Sequence, residues 1–144
     1  MAATPNATIQ SVEAPVGYRL TEKIAEGGAT QIFRAIRVSD QQTVVIKTLR
    51  PDDATREDIA MLQHEADILS GLDGDNVIRL VEQTRVRDLP ALVLEDTGGQ
   101  SLDRLIPHRR IPLKTCVGIG IAVTTALKDV HRGGVIHKDI NPAN

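Results

Sequence analysis

The feature that most constrains the fold of this chain is a lysine in the middle of an apolar, β-branched segment. Residues 43–49 read Thr-Val-Val-Ile-Lys-Thr-Leu, a composition that favours a β-strand. Because side chains alternate along a strand, Lys47 shares a face with Val45 and Leu49, and the opposite face is apolar too. A buried ammonium requires a neighbouring anion. The alternative is a lysine at the rim of a sheet, whose head group reaches water.

The hydrophobic pattern on either side of this segment predicts an α+β protein built on a small antiparallel sheet. Apolar side chains recur at spacings of three and four over residues 55–72 and 113–131, which predicts two helices. Five strands and the first helix would pack as one unit, followed by a mostly helical second unit. The strands are predicted at residues 18–24, 31–36, 43–49, 77–81 and 91–94.

A glutamate on the first predicted helix is a natural partner for the strand lysine. Glu65 lies three residues after Leu62 and four before Leu69, so it projects from the apolar face of the helix. A carboxylate in that position needs a cation, and we predict that it pairs with Lys47. The alternative is a flanking charge that bends out to solvent.

Two glycines connect the first two predicted strands. Gly27 and Gly28 follow directly after Glu26. Glycine allows backbone N–H groups to turn and to approach phosphate oxygens without steric cost. The segment is therefore a candidate phosphate-binding loop, although an ordinary hairpin turn has the same short pattern.

The last eight residues read His-Lys-Asp-Ile-Asn-Pro-Ala-Asn and follow a short predicted strand at 135–136. Asp139 and Asn144 are five positions apart, which is the spacing found in the catalytic loops of phosphoryl-transfer enzymes. An aspartate can take the proton of an attacking hydroxyl, and an amide oxygen suits a hard cation such as Mg²⁺. The alternative interpretation is a polar turn.

Composition and charge exclude several classes of function. The net charge is −2 and only Tyr18 and Phe33 are aromatic, so neither a basic face nor a stacking platform for nucleic acid is expected. A single cysteine, Cys116, excludes a disulfide framework and a cysteine-cluster zinc site. The sequence shows no secretory signal and no run of about 18 apolar residues, so we expect a cytoplasmic chain without a membrane segment.

Taken in order, these features resemble a eukaryotic-type serine/threonine protein kinase of the bacterial sort. Glycine loop, strand lysine, helix glutamate and His-x-Asp-x-x-x-x-Asn occur in that sequence, each on the element type that the kinase signature requires. The resemblance implies ATP and Mg²⁺ as cofactors and a hydroxyl of a protein substrate as acceptor. It divides the chain into a flexible leader at 1–16, a small lobe with the hinge at 17–97, and the start of the large lobe at 98–144.

The resemblance also implies a role for each candidate residue. Lys47 would hold the α- and β-phosphates, Glu65 would orient Lys47, and Asp139 would position the acceptor hydroxyl. Asn144 would be the metal ligand. The nucleotide would further be bound by Ile24, Gly27, Gly28, Ile32, Val45, Leu94, Glu95 and Thr97. The two glycines would cover the phosphates, and the hinge backbone at the last two positions would face adenine.

Two segments point to a narrower group within the family. Residues 94–102 and 137–144 resemble the kinase domain at the front of very large bacterial signalling proteins, in which a kinase, an ATPase module and a sensor histidine kinase are fused. The resemblance implies that such downstream modules are partners of this chain.

Four positions depart from the family pattern. Ala25 and Thr30 replace the first and third loop glycines, so the loop is expected to be stiffer. Lys138 replaces an arginine that often holds a phosphorylated activation loop, and lysine is a point charge without the bidentate fork of arginine. Asn141 replaces a lysine, which removes one cation from the transferring phosphate.

The sequence stops at Asn144 without an Asp-Phe-Gly motif, which normally supplies the main Mg²⁺ ligand. We therefore expect a truncated kinase domain that is inactive alone. The alternative function is a non-catalytic, ATP-binding or regulatory module of pseudokinase type. A small-molecule kinase of the aminoglycoside type shares the lobe shape but agrees less well with the spacing of the loop, lysine and glutamate.

Overall fold

The computed structural model describes residues 12–108 and 110–143, which form two compact units. The first unit comprises the described residues up to Ser70 together with Arg79–Asp96. The second comprises Gly71–Ile78 and the described residues from Thr97 onward. Of the predicted leader, residues 1–11 lie outside the described part. Within its remainder Pro15 is buried, and Glu13 Oε2 lies 2.7 Å from Arg87 Nε.

The first unit is an antiparallel five-stranded sheet, as predicted. Its strands follow the spatial order β1-β2-β3-β5-β4, so that β3, which carries Lys47, is the central strand. Every neighbouring pair is antiparallel. The strands are β1 (Tyr18–Gly27), β2 (Thr30–Arg37), β3 (Thr43–Leu49), β4 (Leu80–Val86) and β5 (Leu89–Glu95).

The helix of this unit, α1 (Arg56–Gly71), begins with a reciprocal cap. The Asp58 N–H donates to Thr55 Oγ1 at 3.2 Å, while Asp58 Oδ2 accepts from the Thr55 N–H at 2.9 Å. This Thr-x-x-Asp arrangement satisfies N–H groups that no helical carbonyl can reach. Leu62 and Ala66 are buried one turn apart, which attaches the helix to the sheet.

The core consists of two largely aliphatic clusters, in agreement with a chain that has only two aromatic residues, Tyr18 and Phe33. The first contains buried residues from all five strands: Tyr18, Ala35, Val44, Ile46, Val86, Ala91 and Val93. The second joins α1 to the sheet and the glycine turn: Ala29, Leu49, Leu62, Ala66, Leu92 and Leu94. Alternate residues of β5 enter different clusters, because successive side chains of a strand point to opposite faces.

The second unit is mainly helical. It contains the short helix α2 (Leu102–Leu105), a 3-10 turn (Ile106–His108) and the long helix α3 (Leu113–Arg132). The 71–78 segment packs on the end of α3, where a Cβ added to Gly133 would come within 2.7 Å of Leu72 Cδ2. Among the described residues, no helix has the length and apolar character needed to cross a membrane.

Two predicted strands differ from the structure. The fourth strand runs from Leu80 to Val86 rather than over residues 77–81, because Val77 donates to the Gly74 carbonyl in a turn. The strand predicted at 135–136 is absent from the described residues. Instead, the Val135 N–H donates to the Val130 carbonyl at 3.2 Å and so helps to cap α3.

Candidate functional site

The strand lysine and the helix glutamate form an ion pair. Lys47 Nζ lies 2.6 Å from Glu65 Oε2, as their positions on inward faces predict. The Lys47 side chain is 23% exposed and that of Glu65 is 35% exposed. The ammonium is therefore fixed by one carboxylate while part of its surface remains open to a further anion.

Neighbouring strands place apolar side chains beside this lysine. Lys47 is paired with Ile32 on β2 and with Leu92 on β5, and Val45 is paired with Leu94. Directly paired residues share a face of the sheet. The candidate nucleotide residues Ile32, Val45 and Leu94 therefore lie on the same face as the ammonium. Ile24 lies at an irregularity in β1, between Lys23 and Ala25.

The glycine turn is attached to the rest of the unit through Ala29 and Arg50, while space is open beside its two glycines. Ala29 is buried in the cluster around α1, and its carbonyl accepts from the Arg50 N–H at 2.8 Å. The Arg50 guanidinium donates to the Gly28 carbonyl. Gly28 has φ = +55°, which glycine adopts without strain. A Cβ added to Gly27 or to Gly28 would meet nothing within 4 Å, so the outer side of the turn has room for a ligand.

The segment after Leu94 is held by hydrogen bonds to the Arg79 backbone and by an ion pair with Arg34, and neither contact follows from the sequence analysis. Glu95 donates its N–H to the Arg79 carbonyl at 3.0 Å, and its Oε1 accepts from the Arg79 N–H at 2.8 Å. Asp96 Oδ2 accepts from Arg34 Nε at 2.7 Å. Thr97, which belongs to the second unit, is exposed.

A signal for one of these contacts was present in the sequence. Arg34 lies between Ile32 and Ile36 at period two, as Lys47 lies between Val45 and Leu49. The argument that led from the lysine to Glu65 therefore applied to Arg34 as well. Hydrogen bonding to Asp96 raises the pKa of the Arg34 guanidinium above its ordinary value.

The predicted catalytic loop is ordered by its own polar side chains. Asn141 Nδ2 donates to Asp139 Oδ1 at 2.9 Å, and Asn141 Oδ1 accepts from the Ala143 N–H at 2.9 Å. Lys138 has φ = +63°, in the left-handed region that non-glycine residues rarely occupy. The Pro142 carbonyl accepts from the Asp103 N–H at 3.0 Å. This places Asp139 in an exposed loop.

The predicted metal ligand, Asn144, lies outside the described residues. Among those that are described, no group of three or more histidine, cysteine, aspartate or glutamate side chains is placed to hold a metal ion.

Comparison with known proteins identifies the family. Residues 18–144 match the protein kinase domain. The chain is 35% identical over 134 residues to the serine/threonine-protein kinase pkn3 of Myxococcus xanthus, covering 88% of this chain and 24% of that protein. It is 28% identical over 129 residues to the probable serine/threonine-protein kinase CPE1738 of Clostridium perfringens, covering 88% and 19%.

A similar relation holds for the probable serine/threonine-protein kinase PknB of Bifidobacterium longum, at 29% identity over 139 residues and coverage of 88% and 20%. The chain thus spans about a fifth to a quarter of the length of these relatives. Because the match to the domain extends over nearly the whole chain and agrees with the five-stranded sheet and its helix, this chain belongs to the protein kinase domain family.

Proposed function

We propose that this chain binds ATP and contributes the nucleotide lobe and the hydroxyl-positioning loop of a protein serine/threonine kinase. The observation that supports this most is the ion pair between Lys47 and Glu65, in which the ammonium is oriented yet partly open. An ammonium neutralised on one side and exposed on the other fits phosphate oxygens that carry negative charge.

The surroundings of the pair fit the rest of a nucleotide. Gly27 and Gly28 lie in the open turn that leads into β2. Ile32, the residue of β2 paired with Lys47, is only two residues after Thr30, where β2 begins. Backbone N–H groups of this turn would cover the phosphates. Ile24, Ile32, Val45 and Leu94 would contact the base, and the backbone of Glu95 and Thr97 would bind its polar edge. Bound ATP would supply the phosphoryl group that is transferred.

Asp139 would accept a hydrogen bond from the acceptor hydroxyl and so fix its direction. Asn144 would hold Mg²⁺, since that ion prefers oxygen ligands. We further propose a protein as the substrate, a cytoplasmic location, and downstream ATPase and sensor histidine kinase modules as partners. The last proposal rests on the resemblance of residues 94–102 and 137–144 to fused signalling kinases.

A non-catalytic ATP-binding module is the second candidate, and one contact favours it. Asn141 occupies a position where the resemblance predicts a lysine, and its amide donates to Asp139 Oδ1 at 2.9 Å. This contact occupies the carboxylate oxygen with a neutral donor and adds no positive charge for a transferring phosphate.

The first test is calorimetric titration of the 144-residue chain with ATP. Lys47→Met should weaken binding by about tenfold or more, the equivalent of about 1.4 kcal/mol. Lys23→Met is the matched control, because Lys23 is a sheet lysine in an ion pair with Glu26 and is paired with Phe33, away from the Lys47 face. Absence of ATP binding by the unaltered chain, or equal binding by both variants, would contradict the proposal.

The two candidates differ in phosphoryl transfer. The protein should be purified after expression from its own chromosomal locus and supplied with γ-labelled ATP. Label on serine or threonine that disappears in the Asp139→Asn variant supports the kinase. Binding of ATP by that same preparation without any Asp139-dependent label supports the non-catalytic module.

A further inference from the structure

A second charge pair, partly buried, lies on the face of the sheet that carries Lys47. Arg34 Nε donates to Asp96 Oδ2 at 2.7 Å, and Arg34 NH1 lies 2.5 Å from Glu22 Oε2. The Asp96 side chain is only 6% exposed and that of Arg34 is 26% exposed. One guanidinium thus connects β1, β2 and the residue that follows β5.

The position of this pair relates it to the candidate base-binding residues. Arg34 is paired with Val45 on β3, and Val45 is paired with Leu94 on β5, so the three residues form a row across the sheet. Asp96 directly follows Leu94 and Glu95, and it is the last residue of the first unit. Arg34 therefore fixes Asp96, which lies between the two residues, Glu95 and Thr97, whose backbone is proposed to bind the polar edge of the base.

Electrostatics makes the dependence of Asp96 on Arg34 strong. A carboxylate withdrawn from water is unfavourable unless a cation and hydrogen-bond donors compensate for its lost hydration. Loss of the Arg34 guanidinium would favour protonation of Asp96 or its movement toward solvent, and either change would shift the backbone at residues 95–96. Asparagine at position 96 would carry no charge, so its burial would cost less free energy in the absence of the Arg34 guanidinium.

We propose that Arg34 is a positioning residue for the adenine base. By fixing Asp96, it holds the backbone of the adjoining residues in the arrangement that binds the polar edge of the base. It takes no part in binding the phosphates, which are assigned to Lys47 and the glycine turn. This inference rests on the proposed ATP binding and adds a residue that decides affinity for the base.

Three probes separate the base from the phosphates: ATP, adenosine and inorganic tripolyphosphate. Arg34→Gln should weaken binding of ATP and adenosine about tenfold and change binding of tripolyphosphate less than about twofold. Lys47→Met should give the opposite pattern, with ATP and tripolyphosphate weakened and adenosine unchanged. A general loss of structure would weaken all three ligands together, so the crossed pattern distinguishes positioning of the base from a loss of folding.

The matched control is Arg37→Gln. Arg37 lies three residues further along the same strand, and therefore on the opposite face of the sheet, where it forms an ion pair with Asp40 at 2.6 Å. Its removal should leave the affinity for all three probes unchanged. Glu22→Gln should have an effect below about twofold, because Glu22 is over half exposed and Asp96 keeps its arginine.

Asp96→Asn tests the same coupling from the carboxylate side of the pair. The double variant Arg34→Gln/Asp96→Asn should bind ATP and adenosine more tightly than Arg34→Gln alone, since it contains no buried carboxylate that has lost its arginine. Independent effects would instead add.

If Arg34→Gln weakens binding of adenosine and of tripolyphosphate equally, or weakens neither, the role of Arg34 is overturned. The proposed binding of ATP by Lys47 and the glycine turn is not affected by that result. Failure of the unaltered chain to bind ATP would overturn the proposed function and this inference with it.

Discussion

Lys47 Nζ and Glu65 Oε2 lie 2.6 Å apart, although one residue belongs to the central strand of the sheet and the other to α1, the helix that packs on the sheet. Both side chains retain partial exposure, so solvent screens their attraction, and pairs of this kind contribute roughly 0–1 kcal/mol to stability. The value of the contact to the protein is therefore orientation. The carboxylate selects one direction for a lysine side chain that has four rotatable bonds.

Removal of the carboxylate should reveal this orienting role. We expect Glu65→Gln to weaken ATP binding about fivefold, or about 1 kcal/mol, with little change in the thermal midpoint. In the background of Lys47→Met, the same substitution should have no further effect on ATP binding, because the group that it orients is gone. Glu57→Gln, an exposed glutamate in the first turn of α1, is the control. Additive losses in the double variant would contradict the prediction.

Attachment of the helix depends on its buried leucine. Leu62 is 3% exposed, while the adjacent Met61 is 64% exposed. Leu62→Ala should lower the free energy of unfolding by about 2–5 kcal/mol, since it removes methyl groups and leaves a cavity beside Ala66. Met61→Ala should change it by less than about 0.5 kcal/mol. Denaturant titration checks both values, and similar losses for the two variants would show that the helix is not held through this face.

The pairing of Lys47 with Glu65 could be predicted from the sequence because each residue interrupts a periodic apolar pattern. Such a pattern determines the face on which a charge lies, and two inward charges of opposite sign leave few other partners. The contact between Arg34 and Asp96 joins residues 62 positions apart, and Asp96 belongs to no periodic segment. The sequence therefore indicates that Arg34 faces inward, but it does not identify Asp96 as the partner of that arginine.

The predicted position of strand β4, residues 77–81, is wrong for a related reason. β4 is an edge strand, and its middle reads Glu-Gln-Thr-Arg with no apolar alternation. The preceding residues 77–81 contain more apolar side chains and so carried the stronger signal. The positive φ of Lys138 is another feature that the sequence did not predict, because lysine has no intrinsic preference for that conformation.

The cap of α1 should make stability depend on pH. Hydrogen bonds from Thr55 to the Asp58 carboxylate lower the pKa of Asp58 below its ordinary value. A carboxyl whose pKa is lowered by folding stabilises the native state above its unfolded pKa, and this contribution disappears as the pH falls through the folded pKa. Asp58→Asn should therefore lower the thermal midpoint at pH 7, and the difference from the unaltered chain should shrink between about pH 5 and pH 2.

The same cap predicts the effect of its other member. Thr55→Ala should lower the free energy of unfolding by about 1 kcal/mol at neutral pH, the usual cost of removing an N-cap. Adding Asp58→Asn to this variant should cause little further loss, because the two side chains stabilise the same helix end. Calorimetric melting of the single and double variants measures this, and a constant effect of Asp58→Asn across the acidic range would contradict the assignment.

Substitutions in the glycine turn separate two possible costs of adding a side chain: an unfavourable backbone conformation and a steric clash with neighbouring atoms. Gly28 has φ = +55°, and a Cβ added there would meet nothing within 4 Å. Gly28→Ala should therefore be unfavourable through backbone conformation alone, by about 1 kcal/mol. Gly28→Asn should cost less, since asparagine tolerates this region better. Gly27 has the same open surroundings without a positive φ, so Gly27→Ala should leave stability unchanged or slightly raised. Urea unfolding with a constant m-value tests the series, and equal losses at positions 27 and 28 would show that the left-handed conformation is not the cause.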